Sequence, residues 1–212
     1  MESARGLKIA LLGAESTGKT TLAQELAAGF ARQGRSAVAV PEALRDWCAA
    51  NGRTPRPDEQ MGIAQEQERR VDEARAGADV VIADTTALMV AVYSAMLFED
   101  HTLYRFAIER QRGYDVTLVT GLDLPWVADG LQRDGPHVQQ PIDAQVREML
   151  GKHAIAYRVV YGKGDERLRN ALAAIDASLA PRAAARDWVW QCEKCSDPDC
   201  EHRLFARLLP PH

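Results

Sequence analysis

Cysteine is scarce in this chain and unevenly placed. Of four, Cys48 stands alone, while Cys192, Cys195 and Cys200 crowd toward the C-terminal end. That placement excludes a disulfide framework spread through the chain. A basic excess is also missing: 26 Lys and Arg against 30 Asp and Glu give a formal net charge of −4. No nucleic acid is therefore expected as a main partner, because no surplus of cations exists to neutralise phosphates. Nor is any apolar run long enough to cross a bilayer, so no membrane is expected. The longest, Ala87 to Phe98, contains Tyr93 and Ser94 and reads as a buried helix. The N-terminal apolar stretch is short and runs straight into a polar loop, so no signal peptide is read there and a cytoplasmic location is expected. Internal repeats and low-complexity tracts are absent too. What is present, 46% hydrophobic and 26% charged residues over 212 positions, suits one globular domain with a small appendage.

The chemistry begins in residues 11–22, LLGAESTGKTTL. Gly13, four residues, then Gly18-Lys19-Thr20 fits G-x-x-x-x-G-K-[ST], the phosphate-binding loop. The context agrees: Leu7 to Leu12 reads as a short buried strand, and Thr21 to Ala27 has helical leucine spacing. Glycine lets backbone amides approach an anion without a side chain in the way. The loop ends at a helix N-terminus, where unpaired N–H groups and the helix dipole favour negative charge. Gly13, Ala14, Glu15, Ser16, Thr17, Gly18, Lys19, Thr20 and Thr21 are thus expected to bind ATP. Lys19 is expected to reach the β- and γ-phosphates and the Thr20 hydroxyl to ligate Mg²⁺.

Strand and helix signals then alternate. Ser36 to Val40, Ala78 to Ala83, Val116 to Thr120 and Tyr157 to Tyr161 read as strands. Asp58 to Ala76, Thr86 to Phe98, Leu103 to Arg112 and Glu166 to Leu179 read as helices. The region between Pro41 and Asp58, with Asn51-Gly52, Pro55 and Pro57, reads as a loop. Such alternation predicts an α/β fold: a five-stranded parallel sheet with helices on both faces. Ligands of these sheets bind beyond the carboxyl ends of the strands, so residues there matter most. Asp84 follows the third strand, where a Walker-B carboxylate would hold Mg²⁺; capping the next helix is the alternative. Glu42 follows the second strand and would orient an acceptor hydroxyl, a solvated or helix-capping Glu being the alternative, and Arg45 would meet substrate or a neighbouring acid. Residues 121–141, GLDLPWVADGLQRDGPHVQQP, form a long polar stretch expected to act as a lid. Arg133 is its leading candidate for stabilising a transferring phosphoryl group, ahead of Arg112 and Arg110. Trp126 and Asp129 are taken as substrate-side residues, Trp126 also as a packing anchor.

These residues together resemble a family of P-loop kinases with AAA-like ATP binding, the one that includes the ribosylnicotinamide kinase domain of NadR-type proteins. The phosphate loop, Pro41-Glu42, Asp84-Thr85-Thr86 and the phrase DLPWVADGL…RDG carry the resemblance, which covers about residues 7–180. It implies a nucleoside-kinase-like fold with a mobile lid, and transfer of the γ-phosphate of ATP to the 5′-hydroxyl of nicotinamide riboside. It also implies catalytic roles for Lys19, Asp84 and Arg133, with Mg²⁺ held by Thr20 and Asp84; Glu42 is a further catalytic candidate from its place after the second strand. Arg133 stands one place later than the family's lid arginine. The DNA-binding and adenylyltransferase domains of the bifunctional proteins are not read in this chain, which is expected to act as a stand-alone kinase. A kinase for another nucleoside or nucleotide, or an ATP-binding regulatory module, are the alternatives.

The expected organisation is a kinase domain over 1–182, with its lid at about 122–141, and a tail over 183–212. In that tail Cys192, Cys195, Cys200 and His202 offer three thiolates and one imidazole. Three sulfurs and a nitrogen suit a closed, tetrahedral structural Zn²⁺ site. A redox pair at Cys192 and Cys195, or cysteines buried as small hydrophobes, are the alternatives.

Overall fold

The structure, a computed structural model, describes residues 6–127 and 135–180. Five strands run in chain order as β1 (Leu7–Leu12), β2 (Ala37–Val40), β3 (Val80–Asp84), β4 (Val116–Thr120) and β5 (Arg158–Val160). Among the described residues, seven helices connect and close them: α1 (Lys19–Arg32), α2 (Ala43–Asn51), α3 (Pro57–Arg75), α4 (Ala87–Phe98), α5 (Tyr104–Gln111), α6 (Gln139–Lys152) and α7 (Gly164–Leu179). A short 3-10 turn, Pro136–Val138, precedes α6. All four strand pairings are parallel and the order is β2-β3-β1-β4-β5.

The strands are aliphatic on successive residues because both faces are covered. Ile9, Leu11, Val80, Ile82, Val116 and Leu118 point to one face and pack with Leu22, Leu26 and Phe30 of α1 and Ala171 and Ile175 of α7. The alternate residues Leu12 and Val119 meet the layer of α2, α3, α4, α5 and α6 on the other face. Burying each Leu or Ile of this kind contributes about 1.5–3 kcal/mol. The central strand β1 joins the two halves of the sheet, and the chain crosses from β3 to β4 around it. A ligand-binding crevice is expected at that point of reversal.

Two expectations need correction. The region after Pro41 is not all loop: Ala43–Asn51 is helical, closed by Gly52 at φ 66. The stretch 136–141, expected in the lid, is the 3-10 turn and the first residues of α6. Among the described residues, no helix is long and apolar enough to cross a membrane.

Candidate active site

The turn after β1 demands glycine. Gly13 has φ 143, and a Cβ there would sit 2.1 Å from Thr120 Oγ1. Ser16 and Gly18 follow in the left-handed region, at φ 57 and φ 72, and Gly18 opens α1 with no side-chain cap. The N-terminal end of α1 faces the loop, and helix N-termini of this kind favour anions. Thr17 is buried; its hydroxyl donates to the Ala14 carbonyl (2.7 Å) and shares a hydrogen bond with Thr120 Oγ1 (2.6 Å). Lys19 Nζ donates to the carbonyls of Gly13 (2.9 Å) and Ala14 (2.8 Å), so the ammonium lies across the loop. Arg167, buried on α7, braces the loop from behind. It donates to the carbonyls of Thr17 (2.6 Å) and Gly162 (3.0 Å) and to Asp123 Oδ1 (3.3 Å).

Asp84, at the end of β3, is buried and accepts the Thr20 hydroxyl proton at Oδ2 (2.6 Å). Its Oδ1 is buried and has no hydrogen-bond partner among the described residues. Asp84 does not cap α4. Thr86 does, its hydroxyl oxygen accepting from Leu88 N (3.2 Å), while Thr85 takes φ 72 to make the turn. The neighbouring Glu68 of α3 accepts from Ala87 N (3.0 Å) and from the Tyr114 hydroxyl, and Lys8 and Arg110 lie beside its carboxylate. Burial, then the Glu68 charge, push the Tyr114 hydroxyl well above its ordinary range. This buried polar set ties α3 to the start of α4 and so fixes the Asp84 turn. Among the described residues no cluster of three or more His, Cys, Asp or Glu is suited to a metal. Mg²⁺ needs none, since one carboxylate, a hydroxyl, phosphate oxygens and waters suffice. The orphaned Asp84 Oδ1 and the adjoining Thr20 hydroxyl form an all-oxygen pair that fits it.

At the end of β2, Glu42 begins α2 without capping it, and its carboxylate pairs with Arg45 at 3.6 Å. The cap comes from elsewhere: Gln67 Oε1 of α3 accepts from Ala43 N (2.7 Å). Burial, then the Glu42 charge, push the Cys48 thiol up, with Arg53 opposing; it stays a protonated, buried side chain rather than a nucleophile.

The segment after β4 passes over the phosphate loop. Val127 N donates to Ser16 Oγ (2.7 Å), whose hydroxyl donates to the Val127 carbonyl (3.1 Å). A Cβ on Gly18 would meet Leu124 Cδ1 at 3.0 Å. Gln139, at the start of α6, donates to the Glu15 carbonyl (2.8 Å). Trp126 is half-buried, with its Nε1 buried and unpartnered among the described residues.

The structure therefore gathers Gly13 to Thr20 with Asp84 at the ends of β1 and β3, and places Glu42 with Arg45 at the end of the adjacent β2. Thr21 is exposed on α1. Asp129, Arg133, Cys192, Cys195, Cys200 and His202 lie outside the described residues. Arg167, Thr120, Gln67 and Gln139 escape sequence reading, because each reaches the site from a distant element. Only the Gly162-Lys163-Gly164 turn before α7 hints that the end of β5 approaches it.

A family model described as an AAA domain matches residues 8–167. No curated protein matches the sequence. Among solved structures, a NadR protein in complex with NR superposes with TM-score 0.68 at 20% identity, over 86% of this chain and 54% of that one. A NadR protein in complex with NAD and AMP-PNP gives TM-score 0.65 at 17% identity, over 86% and 52%. The chain shares the fold of these proteins and spans about half their length.

Proposed function

Because the chain belongs to the AAA domain family, we propose that it is an ATP- and Mg²⁺-dependent small-molecule kinase, with nicotinamide riboside as acceptor and nicotinamide mononucleotide as product. The observation that carries the reading is the meeting of Thr20 with Asp84 at 2.6 Å, beside the loop that holds the Lys19 ammonium. Phosphoryl transfer requires mostly positioning and charge neutralisation, and these residues supply both. Lys19 exchanges its loop carbonyls for phosphate oxygens. Thr20 and Asp84 would hold Mg²⁺, which when bound neutralises phosphate charge. Glu42, in the turn after β2, whose Val40 is in register with Ala83 of β3, orients the acceptor hydroxyl, with Arg45 as its counter-charge. Trp126 and Asp129 are assigned to the acceptor, and Arg133 to stabilising the transferring phosphoryl group. The NR held by one NadR relative supports the choice of acceptor; AMP-PNP in the other supports the donor. Zn²⁺ at Cys192, Cys195, Cys200 and His202 is proposed as structural.

The test is a phosphorylation assay over a nucleoside panel with ATP and Mg²⁺. ADP should form in step with a monophosphate, fastest with nicotinamide riboside. Turnover of another nucleoside, with none of nicotinamide riboside, would overturn the acceptor and keep the class. No transfer to any acceptor would overturn the kinase itself.

A further inference from the structure

One buried side chain is satisfied on one side only. Gln67 lies on α3, 1% exposed, against the start of α2. Its Oε1 must face Ala43 N, because a backbone N–H can only donate. That fixes Nε2, the donor end of the amide, on the opposite side. Nε2 is buried and has no partner among the described residues. A buried amide donor left unpaired is costly, and such groups in native proteins call for a partner. Gln60, on the same face of α3 two turns earlier, is 2% exposed and has its Oε1 equally unpaired. Two carboxamides are therefore set into the buried side of α3 with Ile63, Ala64 and Val71, where the third buried polar side chain, Glu68, has its partners in Ala87 N and the Tyr114 hydroxyl.

The surroundings say what Gln67 would meet. Ala43, which its oxygen holds, follows Glu42 directly. The register Val40 with Ala83 puts the turn after β2 beside Asp84. One amide donor among carboxylate acceptors suits hydroxyl groups, which accept and donate at the same oxygen. We propose that Gln67 is a specificity-determining residue of the acceptor site, its Nε2 donating to a hydroxyl oxygen of a sugar-bearing acceptor. The proposal rests on the kinase reading above. Holding Ala43 N and reading the acceptor are coupled: the same amide that sets the start of α2, and with it Glu42, recognises the molecule Glu42 orients.

The test compares wild type and Gln67→Met on the acceptor that the wild type phosphorylates, and on analogues lacking one sugar hydroxyl at a time. Gln67→Met should raise the acceptor KM about tenfold, the loss of one neutral hydrogen bond, with the ATP KM unchanged. In the wild type one analogue should lose about tenfold in kcat/KM, and that same analogue should lose nothing further in Gln67→Met. Equal penalties for every analogue in both proteins would overturn the proposal. So would a joint weakening of ATP and acceptor with a lowered Tm, which marks a packing role. Should Gln67→Met fail to fold, Gln67→Glu, which keeps an oxygen for Ala43 N, carries the same comparison. A wild type that phosphorylates nothing overturns the kinase reading and this proposal together; an active wild type with an indifferent Gln67 variant overturns this proposal alone.

Discussion

Lys19 is held by two carbonyls that any phosphate would outcompete, since a charge-assisted contact to an anion is stronger than one to a neutral acceptor. Lys19→Ala should therefore lower kcat by orders of magnitude, and retained transfer from ATP would end the phosphate-loop assignment. Lys19→Arg should not restore it, because the planar guanidinium is bulkier than the point charge the loop encloses. At this scale the legible residues are those whose chemistry is local. Gly13, Gly18, Lys19 and Thr20 sit close together in the chain, and backbone geometry dictates their types. Gln67 reaches Ala43 from 24 residues away and Arg167 reaches Thr17 from 150, so no window of sequence contains either contact.

Elements follow the same division. The strands were readable because a doubly covered parallel strand is aliphatic at consecutive positions, as Val80 to Ala83 are. Helix α2 was hidden because the residue before it, Glu42, makes no side-chain capping bond and the cap arrives from α3. Helix α6 starts without a side-chain cap and carries Pro141 in its first turn, which reads as a break although proline is tolerated there. Element contacts also set the loop: α7 delivers Arg167 to three strand-end groups at once. Arg167→Met should leave those carbonyls and Asp123 Oδ1 without the Arg167 donor, while Gly162 N still serves Asp123 Oδ2, costing about 1–3 kcal/mol in urea unfolding. It should also weaken ATP binding by calorimetry, because the Thr17 carbonyl no longer anchors the loop. Unchanged ATP affinity would reduce Arg167 to a packing residue.

For the whole chain, two measurements bear on what the sequence implies. Elemental analysis should find about one Zn²⁺ per chain, the count that one four-ligand set gives, and Cys195→Ser should lose it with ATP binding retained; a metal-free native protein would end that expectation. Stability against pH should fall at both ends. The Arg53 guanidinium holds Glu59 down to about 2 from 4.5, and Arg69 and Arg70 do the same for Glu66. For Asp72, burial works upward, but the bonds from Lys8 and Arg110 outweigh it and its pKa is lowered. Carboxylates that are harder to protonate when folded stabilise the fold above their unfolded pKa, and that contribution is lost as pH falls through the folded one. The urea midpoint should thus be level near neutrality and drop progressively below pH 4.5 toward pH 2, by a modest amount per exposed pair. Tyr114 acts oppositely: raised well above 10.0 by burial, it stabilises fully below that value and its contribution fades as pH climbs beyond it. Glu66→Gln should flatten the acid limb and leave the alkaline limb intact, whereas Tyr114→Phe should do the reverse. An acid limb that Glu66→Gln leaves unchanged would show that the α3 surface pairs do not set it.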